Sequence, residues 1–354
     1  MQCVDGKVLT AEGFIDGHVL IENGLVKEVA PGRGKDPIAS GIVLPTFINA
    51  HTHVADYAVP VDLDMPLDKL VAPPDGLKHR LLRTMPESTM RESMSAMSEH
   101  MRRQGISTFV DFREGGVAGS RMLREAARSA TPVIMGRPLG MNYDPEEANA
   151  LLDSADGIAC SSISDYDIDV LRQLSEKARS RGKFFALHAS EREREDMDLI
   201  LDLKPSFLVH LNCATDADLE ACVKQKVPMV ICPRSNLFFA RVPPIRRMLM
   251  HGATVSLGTD NAMFCLPDML VEMECCGRLM RAQGMQRLGE VVEMVTRTPR
   301  ILLRQRATLG IEPGMPCDLM VLRHHGGDAV TDLVLRNGAQ GPLALFQGDR
   351  VWRW

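Results

Sequence analysis

The stretch Leu44–Ala58, "LPTFINAHTHVADYA", decides how the rest of the chain is read. It starts as an apolar run, passes Pro45 and ends in His51-Thr52-His53. In an extended segment side chains alternate, so His51 and His53 share a face while Thr52 points away. Two imidazoles on one face are half of a metal claw if the fold brings further ligands to them. Otherwise they are the polar end of a loop.

Working outward, runs of the same apolar form recur. Gly41–Ile48, Ser107–Phe112, Pro132–Gly136, Gly157–Ser161, Phe184–His188, Phe207–His210, Val227–Cys232 and Thr254–Asp260 alternate with helical stretches. Eight strands alternating with helices predict an α/β fold, a (β/α)8 TIM-like barrel, over residues 45–306. The two ends differ. Residues 1–44 and 307–354 read as short strands with turns, among them Asn23-Gly24 and the "FQGDRVW" turn near the C-terminus. Neither end alone buries a core, so they are expected to pair into one small β-sandwich domain. Thr84-Met85-Pro86-Glu87 reads as a capping box with Pro in the first turn of a helix. Met90, Met94, Met97 and Met101 follow at helical spacing, which reads as core packing.

Composition narrows the function. The 354 residues are 45% hydrophobic and carry a net charge of −5, with no basic stripe. That gives no argument for nucleic acid or membrane binding. No apolar run has transmembrane length, and the N-terminus lacks a signal-peptide layout. Nine scattered cysteines with no C-x-x-C motif suggest a reduced, cytoplasmic protein. The expected partner is a small-molecule substrate.

A barrel of this kind carries its site at the C-terminal ends of its strands. His51 and His53 end the first, His188 the fifth, His210 the sixth and Asp260 the eighth. Singly, each has a plain reading: a hydrogen-bonded structural histidine, or an aspartate in a turn or cap. Five on one rim point instead to a metal site. Imidazoles with one carboxylate suit one divalent ion, zinc first and ferrous iron second. The fourth strand ends without Lys or Glu, and Lys183 starts the fifth strand at the opposite end, so no bridging ligand for a second ion is expected. His51, His53, His188 and Asp260 are the expected ligands, with His210 beside the bound water or substrate. Glu191, three residues after His188, can reach the rim, although the charged "SEREREDMD" also reads as a helix start.

These segments resemble the amidohydrolase superfamily, in its mononuclear, cytosine deaminase-like deaminase/chlorohydrolase branch. The resemblance is carried by "LPTFINAHTH", "HASERE", "VHLNCATDADL", "VICPRSNLFFARVPPIRRMLMHGATVSLGTDNA" and "LGIEPGMPCDLMVL". Cys213 stands where many relatives have a further His, and "DFREGG" after the second strand is unlike the better-known deaminases. The resemblance implies hydrolysis at an sp² carbon by metal-activated water. Asp260 and His210 would manage the water, and Glu191 would protonate the ring nitrogen. The expected reaction is deamination of an aminated pyrimidine, purine or nucleoside. The alternatives are hydrolysis of a cyclic amide or a C–Cl bond, or a non-catalytic metal-binding scaffold. Relatives are often homo-oligomers. Arg113 and Arg137, which follow the second and third strands, and His79, in the loop after the first, are candidate substrate contacts; for the arginines the alternative is a salt bridge. That loop, including Pro73-Pro74 and Asp75, is a candidate lid. Asn236 is expected to brace the rim.

Overall fold

A computed structural model describes residues 1–60, 67–71, 76–338 and 340–354. The chain divides into two compact units. One holds Met1–Ile48, Met101–Ser107 and Asp268–Trp354; the other holds Asn49–His100 and Thr108–Pro267.

The first unit carries a seven-stranded sheet drawn from both ends of the chain. In sheet order its strands are Arg350–Arg353, Ala344–Gln347, Asp318–Leu322, Ala39–Pro45, Gln2–Thr10, Gly13–Glu22 and Leu25–Pro31. Asn23 and Gly24 have φ of 52° and 70°, the left-handed pair that a two-residue hairpin turn requires. Val4, Val8, Val19, Val43, Leu319 and Phe346 are among the residues of its buried core.

The second sheet is the barrel. Its parallel strands are Phe47–His53, Ile106–Arg113, Thr131–Gly136, Gly157–Cys160, Phe184–Ala189, Phe207–His210 and Met229–Ile231, with an eighth in two pieces, Val255–Leu257 and Asp260–Asn261. The first piece pairs with the seventh strand and the second with the first strand, which closes the ring. Gly258 lies between the two pieces. A Cβ there would sit 2.7 Å from His51 Cβ and 2.8 Å from its backbone nitrogen, so only glycine permits this approach. Thr259 N–H then donates to His51 O at 3.0 Å.

Two expectations are corrected. The apolar run Gly41–Ile48 is not one barrel strand. Ala39–Pro45 belongs to the terminal sheet, pairing with Gln2–Thr10 and Asp318–Leu322, and the barrel strand begins at Phe47. The handover falls at Pro45-Thr46, where proline has no N–H to give a ladder. Both strands are apolar, so composition did not separate them. Nor is there a capping box at Thr84. Thr84 closes the helix Leu77–Thr84, its hydroxyl donating back to Arg80 O, and the next helix runs Glu87–Arg103. On that helix Met94, Met97 and Met101 are buried, and Met90 is half-buried. Pro73, Pro74 and Asp75 of the candidate lid lie outside the described residues. Among the described residues no helix is long and apolar enough to cross a membrane.

Candidate metal centre

Each expected rim residue lies at or just past a strand end, and six of them meet. His51 and His53 end the first barrel strand with ring centroids 5.0 Å apart. His188, in the fifth strand, lies 5.0 Å from His51 and 5.0 Å from His210. Asp260 Oδ1 is 3.4 Å from His51 Nε2 and 3.7 Å from His53 Nε2. Glu191 Oε1 is 3.6 Å from His210 Nε2. Phe112 forms an apolar wall, stacked on His188 at 5.2 Å and edge-on to His51 at 4.5 Å.

The backbone bends to place these groups. His210 and Asp260 have φ of 77° and 62°, and Ser190, just before Glu191, has φ of 46°. Left-handed backbone at non-glycine residues costs on the order of 1–3 kcal/mol each and concentrates at functional sites. Hydrogen bonds hold the bends. Ser235 Oγ donates to Asp260 Oδ2, and Asn49 Nδ2 donates to Thr259 Oγ1 at 2.7 Å. Asn236 Nδ2 lies 3.1 Å from His210 Nδ1, which is the bracing expected of it.

The electrostatics fit a cation. Burial pushes the His51 pKa down despite Asp260. Burial, reinforced by His210, His51 and His53, holds His188 well below the usual imidazole value. Burial and the Lys78 ammonium take His53 down to about 3. The rings are therefore neutral and offer lone pairs. Burial opposes the charge on Asp260, but His51, His210 and His53 hold its pKa well below the carboxylate range. Both ring nitrogens of His51 and Nε2 of His188 are buried without a hydrogen-bond partner. Buried polar atoms are normally satisfied, and an ion held here would take one nitrogen of each ring. His51, His53 and His188 offer ligand atoms all within 4.8 Å of one another. So do His51, His210 and Asp260, and so do His188, Glu191 and His210.

The substrate candidates separate. A cavity of about 750 Å³ opens onto the cluster, lined by Lys78, Arg137, Glu191, His210, Asp260 and Asn261 among others. Arg137 is 6% exposed, and its Nε has no acceptor. Arg113 is engaged elsewhere, with Nη2 2.7 Å from Glu114 Oε2 and Nη1 3.4 Å from Asp111 Oδ1. His79 is not brought to the cluster; its Nε2 lies 2.9 Å from Val71 O. Arg113 and His79 face a second cavity, of about 930 Å³, lined by Met90, Met94, Met122 and Met141. Lys183 lies away from the cavity, donating to Ala155 O at 2.7 Å.

Sequence reasoning missed a buried ion cluster beside the histidines: Asp56, Lys78, Asp111, Arg113, Glu114 and Arg137, none more than 9% exposed. Its one signal was the unfamiliar "DFREGG", which contains three of the six.

A closed (β/α)8 barrel that gathers imidazoles and a carboxylate at its C-terminal mouth defines a metal-binding enzyme of hydrolytic type. The model of the amidohydrolase family matches residues 42–340. The chain belongs to that family and is a hydrolase. It is 31% identical to a putative aminohydrolase of Methanothermobacter thermautotrophicus, covering 93% of this chain and 92% of the relative. It is 28% identical to a 5-methylthioadenosine/S-adenosylhomocysteine deaminase of Thermotoga maritima, covering 90% and 83%. The fold is that of a zinc-bound adenosine deaminase from Xanthomonas campestris, with a TM-score of 0.83 at 17% identity over 99% of this chain and 92% of that one.

Proposed function

We propose that the protein deaminates an aminated heterocycle, a purine, pyrimidine or nucleoside, by hydrolysis at a single divalent ion, zinc in preference to ferrous iron. The observation that carries this reading is a pair of carboxylates on one cavity, Asp260 at 3.4 and 3.7 Å from His51 Nε2 and His53 Nε2, and Glu191 at 3.6 Å from His210 Nε2. Asp260 is held ionised by the surrounding rings, whereas burial raises Glu191 above the ordinary glutamate value. Carboxylates pulled apart in this way divide base from acid work.

His51, His53, His188 and Asp260 would hold the ion, which supplies Lewis acidity and an activated water near neutral pH. Asp260 accepts the proton of the attacking water on a carboxylate oxygen. With the Asn236 amide donating to Nδ1, a neutral His210 carries its proton on Nε2 and donates it to the incoming oxygen. Glu191, whose pKa burial raises, delivers a proton to the ring nitrogen beside the attacked carbon. Asp260 passes the water's proton to the amino group, the C–N bond breaks to release ammonia, and Glu191 recovers a proton from the added hydroxyl as the carbonyl forms. Arg137, which lines the cavity, binds a carbonyl or anionic group of the substrate, while Arg113 braces Glu114.

Residues 45–306 serve as the catalytic barrel, and 1–44 with 307–354 as the composite β domain. Nine cysteines held as thiols accord with a cytoplasmic location. The similarity to methylthioadenosine and adenosylhomocysteine deaminases puts adenine nucleosides first among substrates. Ammonia release from a panel of aminopurines, aminopyrimidines and their nucleosides tests the reading, and activity is expected on at least one. A silent panel alongside turnover of cyclic amides sinks it. On an active substrate, Glu191→Gln should lower kcat about 10²–10³-fold with zinc content unchanged.

A further inference from the structure

Glu114 is the point at which the buried ion cluster touches the histidines. It follows the second barrel strand, Ile106–Arg113. Arg113 Nη2 pins its Oε2 at 2.7 Å, and the Arg113 guanidinium is itself fixed on Asp111 Oδ1 and on the Glu114 backbone carbonyl. With one oxygen held, the other has a fixed aim. Oε1 lies in ion-pair range of two groups, 2.8 Å from Lys78 Nζ and 3.2 Å from His53 Nδ1, without the geometry of a hydrogen bond to either. His53 Nδ1 also bonds Phe112 O at 2.9 Å. The Nδ1–H of His53 therefore faces a carbonyl and a carboxylate together, and the lone pair is left on Nε2, which faces Asp260.

An imidazole that donates from one nitrogen to a carboxylate is fixed in tautomer and orientation, and its other nitrogen becomes the stronger donor to a metal. Of the carboxylates of the ion cluster, Glu114 is the one that lies within ion-pair distance of a ring of the histidine cluster among the described residues. Asp111 accepts from Thr52 Oγ1 and Val54 N, and Asp56 pairs with Lys78 at 2.7 Å. Lys78 sits on the helix Leu77–Thr84, so the oxygen that orients His53 is also the oxygen that anchors this helix.

We propose that Glu114 is a positioning residue for the metal, setting the His53 ring through Nδ1. This rests on the reading of His53 as a ligand. Neutralisation alone would be a lesser role. The ion cluster holds three carboxylates, Asp56, Asp111 and Glu114, against three cations, Lys78, Arg113 and Arg137, so Glu114 could serve only to balance charge. The two roles predict different behaviour toward zinc.

The test is zinc affinity of the metal-free full chain, measured by competition with a chromophoric chelator, beside circular dichroism and the melting temperature of the same metal-free samples. Glu114→Gln should stay folded and lose about 10–100-fold in zinc affinity. Asp56→Asn, which alters the same cluster without touching an imidazole, should change it less than about threefold. If Glu114→Gln does not fold, Glu114→Asp carries the test. Its carboxylate is too short to reach His53 while staying on Arg113, and it should lose about tenfold. Zinc affinity of Glu114→Gln or Glu114→Asp equal to wild type overturns the proposal, as does an equal loss in Asp56→Asn. A wild-type chain that takes up no zinc removes the metal centre itself, and this inference with it. Tight zinc binding by both wild type and Glu114→Gln removes only the inference.

Discussion

Two clusters of buried polar side chains adjoin in the barrel unit, and they are balanced in different ways. In the ion cluster nearly every charge meets its opposite: Lys78 lies between Asp56 and Glu114, and Arg113 between Glu114 and Asp111. In the histidine cluster neutral rings and one carboxylate face each other with nitrogen lone pairs unspent. Buried charge is costly unless it is paired, and the first cluster meets that cost with ion pairs inside the chain, although both carboxylate oxygens of Asp56, Glu114 Oε1 and Arg137 Nε have no hydrogen-bond partner. The second is complete only with a cation from outside. Similar burial therefore serves two ends, and the difference lies in whether opposite charges meet within the chain.

That contrast can be broken at several points. The largest effect is expected at Asp260, whose Oδ1 lies against both His51 Nε2 and His53 Nε2. Asp260→Asn should lower kcat on an ammonia-yielding substrate on the order of 10⁴-fold, measured by steady-state kinetics. Near-normal rates would remove it from the chemistry. Next comes the ion cluster. Lys78→Met leaves Asp56 and Glu114 without their shared partner and should cost about 3–5 kcal/mol in urea unfolding of the metal-free protein. A loss below about 1 kcal/mol would mean that the cluster is not held by its pairing. The smallest effect is expected where ion pairs face water. Arg91 bridges Glu87 and Glu125 at 2.6 and 2.7 Å on an exposed surface, and Arg91→Ala should leave the melting temperature unchanged within error. If Arg91→Ala matched Lys78→Met, burial would not be what separates the two kinds of pair.

Much of the site was legible in the sequence because its positions follow from local order. A ligand at a strand end is marked by the apolar run before it, and seven of the eight runs fall on barrel strands at nearly the expected places. The exception shows the limit. Gly41–Ile48 is apolar throughout, and two different sheets each take part of it. Period and composition are the same on both sides of Thr46, so only the pairing partners distinguish them. The arginines show the same limit. Arg113 and Arg137 follow neighbouring strands and looked equivalent. The neighbouring Glu114 holds Arg113 at 2.7 Å, while Arg137 stands 3.9 Å from it and lines the cavity.

The sequence by itself determined the barrel, the strands that carry His51, His53, His188, His210 and Asp260, and the hydrolytic family. Those depend on periodicity and on chemistry at strand ends, which are properties of short segments. The tertiary structure decided which groups are left unpaired. Whether a buried histidine offers a lone pair, or a buried arginine a free N–H, depends on every neighbour that packing brings within about 3 Å, and those neighbours come from distant parts of the chain. Glu114, Lys78 and His53 meet from three separate stretches, and their shared oxygen has no counterpart in any local pattern.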